Sequence, residues 1–255
     1  MTKKITLANQ KGGVAKTTTS LALAAGLSNR GYRVLGIDLD PQSNFSLSSG
    51  IDTVDLEETL YDVFKKNASL NDILLTSSLG YDVLPGGLSL AGADMDFTQT
   101  GREYMLKEAL EDLNKEYDYI IIDTPPTLGI LTTNAMAASD SVIVPMAADL
   151  YSIQGLSQLN GLVTNVRKYC NPNLQLAGLL ITKYHGNQNI SKAVSEKIAE
   201  IAQELNTKVF KATIRESVAI REAQLLHSDI FKDAPKANAT VDYAEFIDEL
   251  LKEDN

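Results

Sequence analysis

NQKGGVAKTT, residues 9–18, is the most informative stretch of this 255-residue chain. A short β-type run precedes it over residues 3–9, and a helical pattern follows over residues 16–29. A glycine-rich turn between a strand and a helix can wrap its backbone N–H groups around phosphate oxygens. The helix that follows directs its positive end at the same anion. The stretch therefore predicts a phosphate-binding loop.

Two side chains of this loop have the chemistry that a bound nucleotide needs. Lys16 is expected to place a positive charge beside the β- and γ-phosphates, and Thr17 to give a hydroxyl group to Mg²⁺. The usual pattern is G-x-x-x-x-G-K-[S/T], but this chain has Gln10 and Ala15 in place of the two glycines. Ala15 must therefore adopt a backbone conformation that an L-residue tolerates. The predicted nucleotide-binding residues of the loop are Lys11, Gly12, Gly13, Val14, Ala15, Lys16, Thr17 and Thr18.

Acidic side chains stand at the ends of two further apolar runs. GIDLDPQ, residues 36–42, carries Asp38 and Asp40, which share one face because they are two residues apart on a strand. YIIID, residues 119–123, is a buried strand that presents the single carboxylate of Asp123 at its tip. We expect Thr17 and Asp123 to hold Mg²⁺. For Asp38, a structural role and a place in the Mg²⁺ shell are both open, and the D-x-D pattern alone is equally typical of a solvated acidic turn.

The rest of the chain alternates strand and helix patterns. Further strands are predicted at residues 33–39, 81–84, 117–122, 141–145, 176–182 and 208–214, and further helices at residues 103–114, 153–169 and 191–205. Near-continuous apolar strands separated by helices predict an α/β fold, with a mostly parallel twisted sheet and helices on both faces. We expect a single domain over residues 1–255, with the acidic residues 52–72 forming helical surface.

Composition excludes several classes of protein. The hydrophobic content of 44% is ordinary for a globular chain, and no apolar run approaches the roughly 18 residues that span a bilayer. The first residues lack the pattern of a signal peptide. Cys170 is the single cysteine, which excludes a disulfide framework and any cysteine-rich metal or iron–sulfur site within one chain.

The net charge of −10 argues against a nucleic-acid partner until its distribution is considered. Residues 1–40 and residues 161–227 each carry +4, whereas residues 41–126 carry −11. Because the positive charge lies in two blocks, DNA binding is not excluded. It is expected to be weak and sensitive to salt.

These motifs resemble one family. KGGVAKTT is similar to the deviant Walker A motif of the ParA/MinD/nitrogenase iron protein class of P-loop ATPases, and DLDPQ and IIIDTPP resemble its other two motifs. The resemblance runs over about residues 5–223 and implies a P-loop NTPase fold, ATP and Mg²⁺ as cofactors, and weak intrinsic ATP hydrolysis. It implies that Lys11 crosses the interface of a nucleotide-sandwich dimer and that Asp40 orients the attacking water. It also implies that the segment containing Pro125 senses the γ-phosphate. Lys11, Lys16 and Asp40 are thus the predicted catalytic residues.

The block at residues 212–223, ATIRESVAIREA, departs from the pattern of this family. ParA-like proteins often read P-R-N-V-R here, with arginines on DNA and the Pro and Asn near adenine. Arg215 and Ser217 stand at the Pro and Asn positions, which makes them candidates for the adenine site, while Glu216 and Ala219 replace the arginines. The remaining candidates for DNA contact are Lys183, Lys192, Arg215 and Arg221. A solvated helix face with internal ion pairs explains any one of them equally well.

Within the family, the resemblance favours a ParA/Soj-like DNA-partitioning ATPase, cytoplasmic and nucleoid-associated, without an N-terminal DNA-binding extension. Its expected partners are a second copy of the chain, a ParB-like adaptor and non-specific double-stranded DNA, with no membrane. The alternative is a MinD-like membrane-associated positioning ATPase. That class needs a basic amphipathic C-terminal helix, whereas residues 241–255 are amphipathic but acidic. A small-molecule synthetase would need a metabolite pocket, for which the sequence has no signature.

Overall fold

The structure, a computed structural model, describes residues 2–184 and 189–253. The strands in these ranges are β1 (Lys3–Leu7), β2 (Val34–Asp38), β3 (Leu75–Thr76), β4 (Asp82–Leu84), β5 (Tyr119–Asp123), β6 (Ser141–Ala147), β7 (Gln175–Tyr184) and β8 (Val209–Arg215). They form one sheet in the order β3-β4-β2-β5-β1-β6-β7-β8, in which all neighbours are parallel except β3 and β4. The predicted α/β fold with a mostly parallel sheet is confirmed.

The described helices connect these strands. They are α1 (Lys16–Ser28), α2 (Asn44–Ser48), α3 (Leu60–Phe64), α4 (Ala93–Asp96), α5 (Met105–Glu111), α6 (Ile130–Ala138), α7 (Leu150–Tyr169), α8 (Asn189–Glu204), α9 (Val218–Leu225), α10 (Ile230–Asp233) and α11 (Asn238–Glu253). Short 3₁₀ segments occupy Leu88–Gly92 and Arg102–Tyr104.

Strand β5 shows why both faces of the sheet are covered. Tyr119 and Ile121 belong to a core cluster that includes residues of α1 and α11, whereas Ile120 and Ile122 belong to a second cluster with residues of α3, α5 and α6. Alternate side chains of a strand point to opposite faces, so a continuous apolar run requires a helical layer on each side. The sheet is therefore the middle layer of the core.

The register of the central strands brings the acidic motifs together. Asp123 is the register partner of Leu7 on β1 and of Asp38 on β2. Because parallel strands end at the same edge of the sheet, the phosphate loop after β1 lies beside both carboxylates. This edge carries the candidate site.

The acidic segment at residues 52–72 does not form the predicted helical surface. Only Leu60–Phe64 is helical, and it begins at a capping box in which Thr59 and Asp62 exchange hydrogen bonds. Before it, the carboxylate of Asp52 accepts a hydrogen bond from the N–H of Val54, 3.0 Å away. This turn offers the backbone an alternative to the helix, which is why the prediction was wrong over residues 52–59.

Helix α11 is anchored by its apolar face. Tyr243, Phe246 and Ile247 are fully buried in the core cluster that includes residues of α1 and β8. The amphipathic pattern predicted over residues 241–255 is therefore explained by packing inside the molecule. In the part of the chain that the structure describes, no helix is long and apolar enough to cross a membrane.

Candidate functional site

The phosphate loop leaves open space in front of its backbone. A Cβ atom added at Gly12 or Gly13 would meet no other atom within 4 Å, and Gly13 has a φ of 72°. Asn9 anchors the start of the loop, because its side-chain amide donates to the carbonyl of Pro145 at 2.8 Å while its oxygen accepts from the N–H of Lys11 at 3.0 Å. The loop is thus an anchored cradle of the kind that binds phosphate.

Ala15 is the strained residue of this loop. It lies just before α1 with φ 64° and ψ 32°, in the left-handed region that an L-residue can enter but that costs about 1–2 kcal/mol. Ala15 thus adopts a backbone conformation that an L-residue tolerates, as expected, but one in a sparsely populated region of the Ramachandran plot. The second consensus glycine would occupy this position without that penalty.

We expect Ala15→Gly to raise the free energy of unfolding of the ligand-free protein by about 1 kcal/mol, because the native backbone already suits glycine. Urea denaturation measures this change. As a matched control, Ala199→Gly on the exposed face of α8 is expected to lower the same quantity by about 1 kcal/mol. A loss of stability in Ala15→Gly would contradict the assigned strain.

Lys16 lies at the base of the cradle. Its side chain is buried, with a residue exposure of 7%, and its Nζ donates to the carbonyl of Lys11 at 3.2 Å. Burial lowers the pKa of Lys16, while the carboxylates of Asp123 and Asp40 act in the opposite direction. The ammonium group of Lys16 is therefore positioned to bind an anion that enters the cradle.

Thr17 and Asp123 form an oxygen-rich pair beside the loop. The Thr17 hydroxyl donates to Asp123 Oδ2 at 2.7 Å, and the Ser20 hydroxyl donates to Asp123 Oδ1 at 2.8 Å. Asp123 is fully buried, which raises its pKa to about 7, with a further increase from the charge of Asp38. Hard cations such as Mg²⁺ prefer oxygen ligands, so this pair and the open cradle fit a magnesium nucleotide.

Asp38 is held by the backbone around it. Its Oδ1 accepts from the N–H of Asp40 at 3.1 Å, and its Oδ2 accepts from the N–H and the hydroxyl of Ser46 at 2.8 and 2.7 Å. It is fully buried, which raises its pKa to about 6. These contacts give Asp38 a structural role at the start of α2, and its place in a Mg²⁺ shell stays a prediction.

The two raised pKa values predict how stability depends on pH. The folded chain binds protons at Asp123 and Asp38 that the unfolded chain has already released, so the ligand-free protein loses stability as pH rises from about 4 to 7. We expect the urea midpoint of Asp123→Asn to fall less between about pH 5 and about pH 8 than that of the wild type. Equal decreases in the two proteins would contradict this assignment.

Asp40 faces the cleft that adjoins the cradle. The cleft has a volume of about 460 Å³, and its wall includes Asp40, Gly13, Lys16 and Thr17. Asp40 is 7% exposed, and its Oδ1 accepts from the N–H of Gln42 at 3.0 Å. Asp40 is therefore a fixed carboxylate beside the phosphate cradle, where it can orient a water molecule.

The remaining residues predicted to bind nucleotide differ in whether they line the cleft. Val14 is buried, and its carbonyl accepts from the hydroxyl of Thr182 at 3.1 Å. Pro125 is buried and does not line the cleft, whereas the neighbouring Pro126 is exposed and does. Thr18 lines the cleft, and its contact with a nucleotide stays a prediction. If this segment contacts a nucleotide directly, Pro126 is the better placed of the two prolines.

Lys11 points to a carboxylate of its own chain. Its Nζ lies 2.6 Å from Asp149 Oδ2 and 3.4 Å from the hydroxyl of Ser152. Asp149 also caps α7 by accepting from the N–H of Ser152 at 2.8 Å. Burial acts to raise the pKa of Asp149, but the hydrogen bond from Lys11 helps to lower it below its usual value. The ammonium group of Lys11 is therefore already engaged within its own chain.

The lining of the cleft contains three of the four residues predicted to contact DNA. Lys183, Arg215 and Arg221 line it together with Ser217 and Gln224. The Arg215 guanidinium is bound by Asp242 at 2.6 Å, and Arg221 lies 4.0 Å from Glu216. The hydroxyl of Ser217 caps α9. Lys192 belongs to α8, and its side chain lies outside the described residues.

The comparisons with known proteins agree with this geometry. A family model described as an AAA domain matches residues 2–176. The sporulation initiation inhibitor protein Soj of Bacillus subtilis is 40% identical over 252 residues, which cover 98% of each chain. The chromosome partitioning protein ParA of Myxococcus xanthus is 36% identical over 98% of this chain and 88% of that protein.

The chain belongs to the ParA/Soj family of P-loop ATPases. A solved relative, the cobyrinic acid a,c-diamide synthase from Mycobacterium smegmatis with bound ADP and magnesium, matches with a TM-score of 0.87 at 34% identity. The match covers 99% of this chain and 95% of that one. The resemblance stated from the motifs is thereby confirmed.

Sequence reasoning missed several residues of this ParA/Soj site. Asp149 and Asp242 carry the ion pairs of Lys11 and Arg215, and Ser20 shares Asp123 with Thr17. Asp149 had a usable signal, because an aspartate directly before a long helical pattern is typical of a helix cap. Asp242 had none, since it is one of several acidic residues on α11 and its partner lies 27 residues away.

Proposed function

We propose that this chain is a DNA-partitioning ATPase in which Mg²⁺ and ATP close a nucleotide-sandwich dimer that binds DNA non-specifically. The observation that supports it most is the convergence of Lys16, Thr17, Asp40 and Asp123 on one phosphate cradle. Relatives named as chromosome partitioning proteins at 36% and 39% identity point to the same process.

Each residue of the cradle has a defined part in this proposal. Bound Mg²⁺ would neutralise charge on the β- and γ-phosphates, which eases phosphoryl transfer. Thr17 and Asp123 would hold that ion, with Asp123 ionised when it does so. Lys16 would compensate phosphate charge from the base of the loop, and Asp40 would orient the attacking water. Intrinsic hydrolysis is proposed to be slow until a ParB-like adaptor accelerates it.

Lys11 connects nucleotide binding to dimerisation. Two apposed triphosphates repel each other, and a lysine delivered from the opposite chain offsets that repulsion only when ATP is present. In the structure Lys11 is held by Asp149. A triphosphate of higher charge, presented by a second chain, would compete with the carboxylate of Asp149 for the ammonium group.

DNA binding is proposed to arise from the basic block at residues 161–227, which dimerisation doubles on one assembly. The candidates are Lys183, Lys192, Arg215 and Arg221, of which Arg215 already shares its charge with Asp242. Binding that depends on phosphate contacts weakens steeply with salt. Release after hydrolysis is easy, because a separated chain presents one basic block instead of two on a chain whose net charge is −10.

The test is retention on a duplex of arbitrary sequence, measured by fluorescence anisotropy with ATP, with ADP and without nucleotide. We expect binding with ATP only, and a loss of at least tenfold between about 50 and about 200 mM salt. If the ATP-loaded protein ignores duplex DNA at low salt, the DNA hypothesis fails.

Lys11→Ala separates nucleotide binding from assembly. We expect this variant to bind ATP with near wild-type affinity but to remain monomeric in sedimentation velocity with ATP, because the substitution removes the proposed contact across the interface and the pair with Asp149 but leaves the backbone of the loop and Lys16 in place. Lys168→Ala, an exposed lysine on α7, is the matched control and should dimerise normally. A Lys11→Ala protein that dimerises like the wild type would overturn the role of Lys11.

The membrane alternative has less support. The apolar face of α11 is already buried against α1 and β8, and its exposed face is acidic, which an anionic bilayer repels. Co-sedimentation with anionic liposomes in ATP would have to be observed to restore it.

A further inference from the structure

We propose that Asp242 on α11 is a positioning residue for nucleotide binding, which holds the Arg215 guanidinium flat against the base of the bound nucleoside triphosphate. The inference rests on the proposed function and names a residue that acts through Arg215. It starts from the ion pair between these two side chains, of which Arg215 lines the same cleft as the phosphate cradle.

Arg215 and Asp242 form a fork with three donors. Arg215 Nη2 lies 2.6 Å from Asp242 Oδ1, and Arg215 Nε lies 2.9 Å from Oδ2. The backbone N–H of Arg215 also donates to Oδ2, at 2.9 Å. A guanidinium gripped at Nε and Nη2 has a fixed plane, because the fork is bidentate and rigid. Asp242 thereby sets both the position and the orientation of this group.

The side chain of Arg215 is much more exposed than that of Asp242, so Arg215 is the partner that can contact a ligand in the cleft. The side chain of Asp242 is 7% exposed and that of Arg215 is 44% exposed. Arg215 lines the cleft, together with Lys183, Ser217 and Gln224. With a triphosphate in the loop at Gly12 to Thr17, the proposal places the ribose and base against these residues of the same cleft. A planar guanidinium stacks favourably on an aromatic ring, which suits it to a nucleobase.

Helix α11 is itself held rigidly, so that Asp242 has a fixed place. Strand β8 is at the edge of the sheet. The carboxylate of Glu249 on α11 accepts hydrogen bonds from the backbone N–H groups of Lys211 and Ala212 on β8, at 3.0 and 3.1 Å. Tyr243 is fully buried, and its hydroxyl lies 3.1 Å from that of Thr19 on α1, two residues after Thr17. The helix therefore joins the base wall to the helix that begins at the phosphate loop.

The experiment compares two ligands that differ in the base. ATP and inorganic tripolyphosphate are titrated by calorimetry against four proteins. These are the wild type, Asp242→Asn, Arg215→Ala and the double variant that carries both substitutions. We expect Asp242→Asn to weaken ATP about tenfold and to change tripolyphosphate by less than about twofold, because only ATP has a base to be contacted. The double variant should be no weaker for ATP than Arg215→Ala alone, since Asp242 acts through Arg215.

Asp248→Asn is the matched control on the same helix. Asp248 pairs with Arg30 at 2.6 Å and does not line the cleft, so this variant should bind both ligands normally. Thermal unfolding of each variant is recorded without ligand. If Asp242→Asn binds ATP like the wild type, or loses affinity for both ligands equally, the inference is overturned and Asp242 only fastens α11. A wild type that binds neither ligand contradicts the proposed function instead.

Discussion

Lys16→Ala is expected to reduce the affinity for Mg-ATP at least a hundredfold. The ammonium group of Lys16 is buried at the base of the phosphate cradle and is the positive side chain that an entering triphosphate meets there. Removing one partner of a buried, hydrogen-bonded charge pair typically costs about 2–5 kcal/mol of binding free energy, and each 1.4 kcal/mol corresponds to about a tenfold change in affinity. Calorimetric titration of the variant with Mg-ATP measures the loss directly.

This result is informative only if the variant is folded. Burial already disfavours the charge of Lys16, so its loss should leave the urea midpoint of the ligand-free protein near that of the wild type. Lys107→Ala on α5 removes an exposed lysine outside the cleft and should bind ATP normally. A folded Lys16→Ala protein that retains its affinity for ATP would show that the cradle does not bind the triphosphate.

Asp40→Ala is expected to separate ATP binding from hydrolysis. The variant should bind Mg-ATP, dimerise and stay on DNA, while the rate of phosphate release in a single turnover falls by about 10² to 10⁴. Hydrolysis should fall because Asp40 is a fixed carboxylate in the cleft wall that orients the water. ATP binding should persist because the hydrogen bonds described for Lys16, Thr17 and Asp123 do not involve Asp40.

The outcome distinguishes Asp40 from its neighbour on the strand. Asp38 holds Ser46 at the start of α2, so removing it should lower stability, whereas Asp40→Ala should unfold near the wild-type midpoint. Asp52→Ala, in an exposed turn, is the control with unchanged hydrolysis. Wild-type hydrolysis by Asp40→Ala would remove Asp40 from the catalytic assignment.

Much of the fold could be predicted because it depends on local patterns. Only a few residues are needed to recognise the apolar runs that form β1, β2 and β5. The same is true of the glycines between β1 and α1. Since parallel strands end at one edge of a sheet, the carboxylates of Asp38 and Asp123 could be expected near the phosphate loop. Their shared register confirms it.

Predictions failed where a local pattern had a competitor or was too short. Residues 52–59 contain acidic side chains that satisfy the backbone in turns, so they are not helical despite their composition. Strand β3 has two residues, Leu75–Thr76, which no periodicity can reveal. The proline that lines the cleft is Pro126, because the course of the chain after β5 decides which of two adjacent prolines is exposed.

By itself, the sequence determined the class of sheet, the phosphate loop and the family, because backbone periodicity and turn chemistry are properties of short segments. Only the tertiary structure decided how the charges pair. Lys11 meets Asp149 across 138 residues, and Arg215 meets Asp242 across 27. The strength of an ionic contact depends on distance and burial, and both are known only when the strands and helices are packed together.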